Sequence, residues 1–379
     1  MEGPSISLCM IVKNEEKYLP KCLGSVQGMV DEIIIVDTGS TDDTVAIARA
    51  YGAKVIPMPW QDSFADARNR GFEEATGDWI LWLDADEEMG VDEAGKLKEL
   101  LNREAIREQK IEGIQLTFCH HVEGGGTEDV HLLRMVRNRP EYRFEGRIHE
   151  QILPGMLKCN PDLQLGQVDI HVHHYGYLLK NIDAQDKKRR NRTLLQQAMA
   201  ESPENPEYFY YWGIELLRMN DLEGALGSME VFLNRASSNI GKGILTSAHK
   251  YRLMALKDLE RYHDLIRDST ESIALFPGFT DLYHLKAIGC SSLGEINEAI
   301  HSLREALSIG PAESEYQSIA GCGTYLTCLD LGRLYHLTGN PKESDLYFTV
   351  ASLMVGHPGI RLLLPPSFCI SFNRGENTL

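Results

Sequence analysis

Two carboxylates two residues apart, Asp84 and Asp86, stand in the run Trp82-Leu83-Asp84-Ala85-Asp86-Glu87. On an extended strand end, positions i and i+2 point the same way. Such a pair suits an octahedral divalent cation, magnesium or manganese, that completes its shell with diphosphate oxygens. The same residues also fit a solvated acidic turn opening a helix and complementing its dipole. Position favours the first reading: Asp37 ends a second apolar run, Glu32 to Val36, which puts both acidic groups at one edge of one sheet, where open α/β folds bind ligands. Asp37 is placed to accept a uracil N–H or ribose hydroxyls, and Gly39 permits close backbone approach. Ser40 or Thr41 then reads as the cap of the helix that follows.

Further groups could join this edge. Arg68, with Asn69 beside it, and Arg70 could hold a diphosphate as bidentate partners, or lie solvated on the surface. His149-Glu150 offers a general base if it reaches an acceptor proton; alone, such a pair is also an ordinary surface hydrogen bond. In His171-Val172-His173-His174, His171 and His173 share one strand face and His174 takes the other, either finishing a metal shell or packing in the core.

The balance of charge narrows the chemistry. Lys plus Arg total 38 against 55 Asp plus Glu, a net charge of −17, which disfavours nucleic acid and anionic membranes as partners. A nucleotide ligand in so acidic a chain needs placed arginines or a divalent cation. Eight cysteines lack C-x-x-C and zinc-ribbon spacing and read as scattered buried thiols. With no signal-peptide pattern and no run of the ~20 apolar residues a span requires, the expected location is a reducing cytoplasm.

These residues must be positioned by two kinds of architecture. The first half alternates apolar runs with helical patterns, as in a parallel α/β domain: strands at Ser7 to Val12, Glu32 to Val36, Lys54 to Ile56 and Trp79 to Leu83, with helices from near Glu15, after Asp42 and over Phe64 to Ala75. A charged helix around Asp92 to Arg107 precedes strands at Gly113 to Cys119, Val130 to Val136, Arg143 to Glu145 and Gln167 to His174, with Gly124-Gly125-Gly126 as a mobile loop. A polar helix from about Asp183 carries Lys187-Lys188-Arg189-Arg190, which reads as a solvated face or a membrane contact. Beyond Pro206 no strand pattern survives. Pro277 and Pro311 stand 34 residues apart, the tetratricopeptide period of about 34, with Gly213, Ala225, Gly294, Ala299, Ala306 and Gly332 at turns and small contact positions.

Three stretches then resemble the family 2 inverting glycosyltransferases of the GT-A fold: Ser7 to Glu16, Val36 to Thr44 and Ala75 to Glu87. Phe144 to Glu150 is similar to a segment of the branch related to lipopolysaccharide-core glucosyltransferases. With His174-Tyr175-Gly176-Tyr177 and helical repeats behind it, the layout resembles the sublancin-type peptide S-glycosyltransferases. The resemblance implies that Val12, Lys13 and Glu15, with Asp37, hold uridine; that Asp84, Ala85 and Asp86 address metal and diphosphate; that Glu150 or His149 is the acceptor base; and that His174 is a later metal ligand.

The expected architecture is an α/β GT-A domain (1–180), a linker helix (181–204), an all-α tetratricopeptide-repeat domain (205–361) and a C-terminal extension (362–379). The expected function is inverting transfer from a UDP-sugar, glucose or N-acetylhexosamine, to Ser, Thr or Cys of a peptide or protein, assisted by Mg or Mn. The repeats present the polypeptide or pair two copies. Rival readings are transfer to a lipid-linked or lipopolysaccharide-core sugar and a repeat scaffold with a silent catalytic domain. A nucleotidyltransferase is disfavoured because Lys13-Asn14-Glu15-Glu16 is no basic, Gly-rich loop.

Overall fold

In Ile6-Ser7-Leu8-Cys9-Met10-Ile11-Val12 all residues but one are buried, which a strand sustains when both faces of its sheet are covered. The computed structural model describes residues 3–90, 92–102, 110–122, 126–174, 184–237, 240–313 and 316–355. It places that run as β1 (Ile6–Val12), parallel to β2 (Glu32–Asp37), which is parallel to β3 (Lys54–Pro57); β4 (Trp79–Trp82) flanks β1 on its other side. With β5 (Glu87–Met89), β6 (Ile111–Val122), β7 (Gly126–Arg137) and β8 (Gln164–His174), the order is β3-β2-β1-β4-β7-β6-β8-β5 in one eight-stranded sheet. β7 runs antiparallel to β4 and β6, and β8 parallel to β6.

The period-two alternation of the strands divides the core. Leu8, Met10, Ile35 and Leu81 pack with Leu19 and Leu23 of α1 (Leu19–Ser25), Ala48 of α2 (Thr44–Ala50) and Leu97 of α4 (Glu93–Asn102). Cys9, Ile34, Ile80 and Trp82 face the other way, onto Ala65 and Phe72 of α3 (Phe64–Phe72) and Met156 of α5 (Leu153–Cys159). Phe144 joins this second layer 5.3 Å from both Phe72 and Trp82, in edge contacts. That packing brings the segment before Glu150 against the sheet.

Several local expectations are corrected. The first helix begins at Leu19, because Glu15 gives its N–H to the Thr44 hydroxyl (2.7 Å) and Asn14 sits at φ 56°, so polar cross-bracing holds this stretch out of helix. Arg143 to Glu145 is no strand; Glu145 makes one isolated bridge to Gln151. Helix α3 stops at Phe72. Short β5 and α5 went unforeseen, three residues being too few for a visible period and Pro154 in a seven-residue helix reading as a loop. Six cysteines are buried as expected, but Cys159, at the end of α5, is exposed. Gly124, Gly125, Tyr175 to Tyr177, Cys369 and the extension lie outside the described residues.

The chain divides into two compact units, Met1–Ala200 and Glu201–Leu379, so α6 (Ala184–Glu201) belongs almost wholly to the first. The second is built of helical hairpins: α7 (Pro206–Arg218) with α8 (Leu222–Arg235), α9 (Lys242–Asp258) with α10 (Tyr262–Leu275), α11 (Thr280–Ser292) with α12 (Ile296–Ile309), and α13 (Tyr325–Leu337) with α14 (Pro341–Val355). At Gly213 an added Cβ would meet the Met229 side chain at 2.7 Å, so the small residue sets how closely α7 and α8 approach. The repeat recurs in its polar contacts: Ser228 donates to the Phe209 carbonyl (2.8 Å) and Ser302 to that of Tyr283 (2.9 Å), each reaching back 19 residues. The insertion after α12 folds back, Tyr316 stacking on Phe279 and Ile319 donating its N–H to Asp281 (2.8 Å). Among the described residues no helix is long and apolar enough to cross a membrane.

Candidate active site

At the C-terminal edge of β1, β2 and β4 opens a cleft of about 1020 Å³, lined by Val12 to Glu15, Asp84 to Asp86, Arg68, His149 and Glu150, among others. Its rim is held by hydrogen bonds between loops. Asn14 takes the Thr41 N–H on its side-chain oxygen (2.7 Å) and gives its own N–H to the Ser40 hydroxyl (2.9 Å). Ser40 and Thr41 therefore brace the β1 loop instead of capping a helix; α2 starts only at Thr44, whose N–H goes to Asp42 (3.0 Å). Asp37, 8% exposed, accepts the Ser40 N–H (3.1 Å). Gly39 at φ 108° occupies a region other residues avoid. Asn14, Asp62 and His149, with φ of 56°, 56° and 55°, line the same cleft. Left-handed non-glycine backbone costs of order 1–3 kcal/mol and gathers at functional sites.

Charge on the cleft floor is organised by Arg68 of α3. Its Nε donates to Glu150 (2.6 Å) and its Nη2 to Asp84 (3.0 Å), while Nη1 is buried without a hydrogen-bond partner among the described residues. Arg70, two residues on, turns away to Glu73 and Glu74. Asn69 pins the Glu150 segment, accepting the Phe144 N–H (2.8 Å) and donating to its carbonyl (3.0 Å). Arg134 of β7, which the sequence did not single out, pairs with Glu87 (2.7 Å) and lies 4.0 Å from Asp84. Burial alone would raise the Asp84 carboxyl, but Arg68 and Arg134 outweigh it and bring it down to about 2. For Glu87 burial wins: with Asp84 adding to it and Arg134 opposing, the carboxyl is pushed up to about 7.

Asp84 and Asp86 lie in a turn after β4, not on an extended strand end, the Glu87 N–H closing on the Asp84 carbonyl (3.1 Å). They part company: Asp84 goes to the arginines, and Asp86 to His174, whose Nε2 is 3.6 Å from the Asp86 carboxylate. Of the three histidines considered, His174 is thus the one beside Asp86; His171 lies near Asp169 (3.4 Å). Burial lowers the His174 imidazole, yet Asp86, Glu87 and Asp84 together raise it above its ordinary value. Among the described residues no group of three or more His, Cys, Asp or Glu is placed to hold a metal. A carboxylate and an imidazole are oxygen and nitrogen donors that fit a divalent ion of the Mn type, provided a substrate diphosphate supplies other ligands.

Residues 7–106 match the model of the Glycosyl transferase family 2. A TPR repeat-containing protein of Synechococcus elongatus is 30% identical over 323 residues, which cover 81% of this chain and 76% of that protein. The chain belongs to glycosyl transferase family 2. Its first unit is accordingly a family 2 domain of the GT-A class and its second a tetratricopeptide-like helical unit, as the resemblance implied. The chain is also similar to the SPbeta prophage-derived glycosyltransferase SunS of Bacillus subtilis, 30% identical over 236 residues, and spans about half of that protein (54%). The crystal structure of S. aureus TarS has a TM-score of 0.41 at 14% identity, covering 71% of this chain and 54% of that one.

The family 2 domain also recruits residues that sequence reading passed over or placed elsewhere. Trp60 and Phe64, after β3, line the cleft together with Arg189 and Arg190 of α6. The basic run read as a solvated face or membrane contact thus gives two of its four cations to the cleft. A tryptophan in a polar loop was the one available signal for this wall.

Proposed function

We propose that this chain moves a hexose or N-acetylhexosamine from a UDP-sugar to a Ser, Thr or Cys side chain of a peptide or protein, with inversion. The observation that carries the reading is Arg68 joining Glu150 to Asp84 in one cleft, so that a base and the donor-binding acids share a floor. Similarity to the glycosyltransferase SunS supports glycosyl transfer, and the peptide class of acceptor follows by analogy from the resemblance read in the sequence.

Uridine lies along Val12, Lys13 and Glu15 with Asp37 accepting from the base or ribose and Gly39 admitting the backbone; Ala85 sits under the donor between its acidic neighbours. Glu150, with His149 adjoining, takes the acceptor O–H or S–H proton as that atom attacks the anomeric carbon. The bond from that carbon to the diphosphate oxygen breaks, and its electron pair leaves with UDP from the opposite face. Asp86 and His174, with Asp84 nearby, would hold a Mg or Mn ion. When bound, such an ion supplies the positive charge a departing diphosphate needs in a chain of net charge −17. The helical unit presents polypeptide or pairs two copies.

Calorimetric titration with UDP, UDP-glucose, UDP-N-acetylglucosamine and GDP-mannose, each with Mn and with EDTA, tests the donor assignment. Metal-dependent binding of one uridine sugar is expected. No binding by any of them removes the reading and leaves a silent repeat scaffold.

A further inference from the structure

Arg190 of α6 is a cation on the cleft wall. Arg68 is neutralised by Asp84 and Glu150, and Arg134 by Glu87. Among the described residues Arg190 pairs with no carboxylate; it donates to Asn191 Oδ1 (3.2 and 3.1 Å) and lies over two aromatic rings. The guanidinium lies 5.1 Å from the Phe64 ring centroid and 6.0 Å from that of Trp60, an arrangement in which ring faces hold a cation in place. Burial disfavours the charged form, and no acid offsets it. In a chain with 55 acids to 38 Lys and Arg, a half-buried arginine kept clear of them is suited to an anion that arrives from outside. Beside it, Trp60 Nε1 is buried without a hydrogen-bond partner among the described residues.

The wall carrying Arg190 is tied to the acceptor side. The Phe64 N–H donates to the Arg147 carbonyl at 2.8 Å, and Arg147 returns a bond from Nη1 to the Asp62 carbonyl at 3.1 Å. These bonds fasten the Trp60 to Phe64 loop to the segment that carries His149 and Glu150. An anion on Arg190 would therefore be registered against the base and the nucleophile it activates.

We infer that Arg190, seated on Trp60 and Phe64, is a specificity-determining residue that takes a carboxylate of the acceptor peptide, an Asp or Glu near the modified Ser, Thr or Cys. The inference rests on the proposed peptide glycosylation and refines it. Arg190 fixes which acceptors dwell beside Glu150 and takes no part in donor binding.

An array of synthetic peptides tests this, each with a central Ser, Thr or Cys and with Asp, Gln or Lys stepped through the flanking positions. It is incubated with radiolabelled UDP-sugar and Mn, using the full chain and its Arg190→Gln and Arg190→Glu variants, while UDP affinity is measured in parallel. At one or two positions the wild type is expected to label Asp peptides at least ten-fold above their Lys counterparts. Arg190→Gln should level that ratio and Arg190→Glu reverse it, with UDP affinity unchanged. Reversal cannot come from a misfolded variant. Label without charge preference, or a preference that both variants keep, overturns the inference alone. Weaker UDP binding in Arg190→Gln also overturns it, by placing Arg190 at the donor. No label in any peptide, with UDP-sugar bound, removes the peptide reading and the inference with it.

Discussion

Arg68 donates its Nε to Glu150 at 2.6 Å across 82 residues of chain. Both side chains are close to nine-tenths buried, 10% and 12% exposed, and the same guanidinium holds Asp84. One side chain thus sets the geometry of the proposed base and of a donor-side acid together.

Glu150→Gln keeps the size and polarity of the side chain and removes its ability to accept a proton. Transfer to acceptor should fall by roughly 100-fold or more, the scale of general base catalysis, while UDP affinity stays within about two-fold on the same scale of effects. Steady-state rates beside calorimetric UDP titrations check this. An equal loss in both would remove Glu150 as the base.

Arg68→Met leaves two carboxylates in the cleft without their shared cation. Breaking a buried pair on one side costs about 3–5 kcal/mol, so the midpoint of urea unfolding for the first unit should drop. The variant should also shift the acid limb. The Asp84 carboxyl, at about 2 in the native protein, is depressed, so its stabilisation is present above its unfolded pKa and is lost as pH falls through 2. Without Arg68 the folded value rises, and that loss below pH 4 becomes shallower. An acid limb identical to wild type would show that Arg68 does not set the Asp84 charge.

Asp86→Asn and His174→Ala should each remove most of the gain in UDP affinity that Mn produces, while leaving affinity in EDTA unchanged. Titration of UDP with and without Mn reads both quantities. Retention of the full Mn effect in both variants would place the ion elsewhere.

In the helical unit, burial lowers the His249 imidazole to about 4; its Nδ1 lies 2.8 Å from the Ser272 hydroxyl, and its ring packs edge-on to Phe276. A depressed imidazole binds its proton more readily in the unfolded chain. Its stabilising contribution is therefore complete above about pH 6.5 and is lost as pH falls toward 4, about 3 kcal/mol in all. His249→Gln should flatten the stability of the helical unit between pH 6.5 and 4. Chemical denaturation at stepped pH, followed by circular dichroism, measures the slope.

Much of the architecture was legible because its signals are local. The apolar runs of β1, β2 and β4 can be covered on both faces only inside an α/β sheet, and they deliver Asp37 and Asp84 at one edge by strand direction alone. The 34-residue spacing of Pro277 and Pro311 likewise announces stacked helical pairs. Weak local signals failed where tertiary contacts decide: β5 is three residues of a mixed ladder, and Glu15 is kept from helix by the Thr44 hydroxyl.

The sequence by itself determined which residues are available for chemistry and at which end of which strand most of them fall, since side-chain direction follows from strand period and topology. Which groups pair was decided only by the tertiary structure. Asp84 and Asp86 look equivalent as letters, yet one faces Arg68 and Arg134 and the other His174. Arg68 and Arg70 look equivalent as well, but a helix turns through 100° per residue, so one points to the cleft floor and the other to Glu73 and Glu74. Arg190 reads as part of a basic run until α6 packs beside Trp60 and Phe64. Coulombic and stacking energies depend on distance in space, and distances spanning 82 or more residues of chain are set by how the sheet and its helices pack, not by spacing along it.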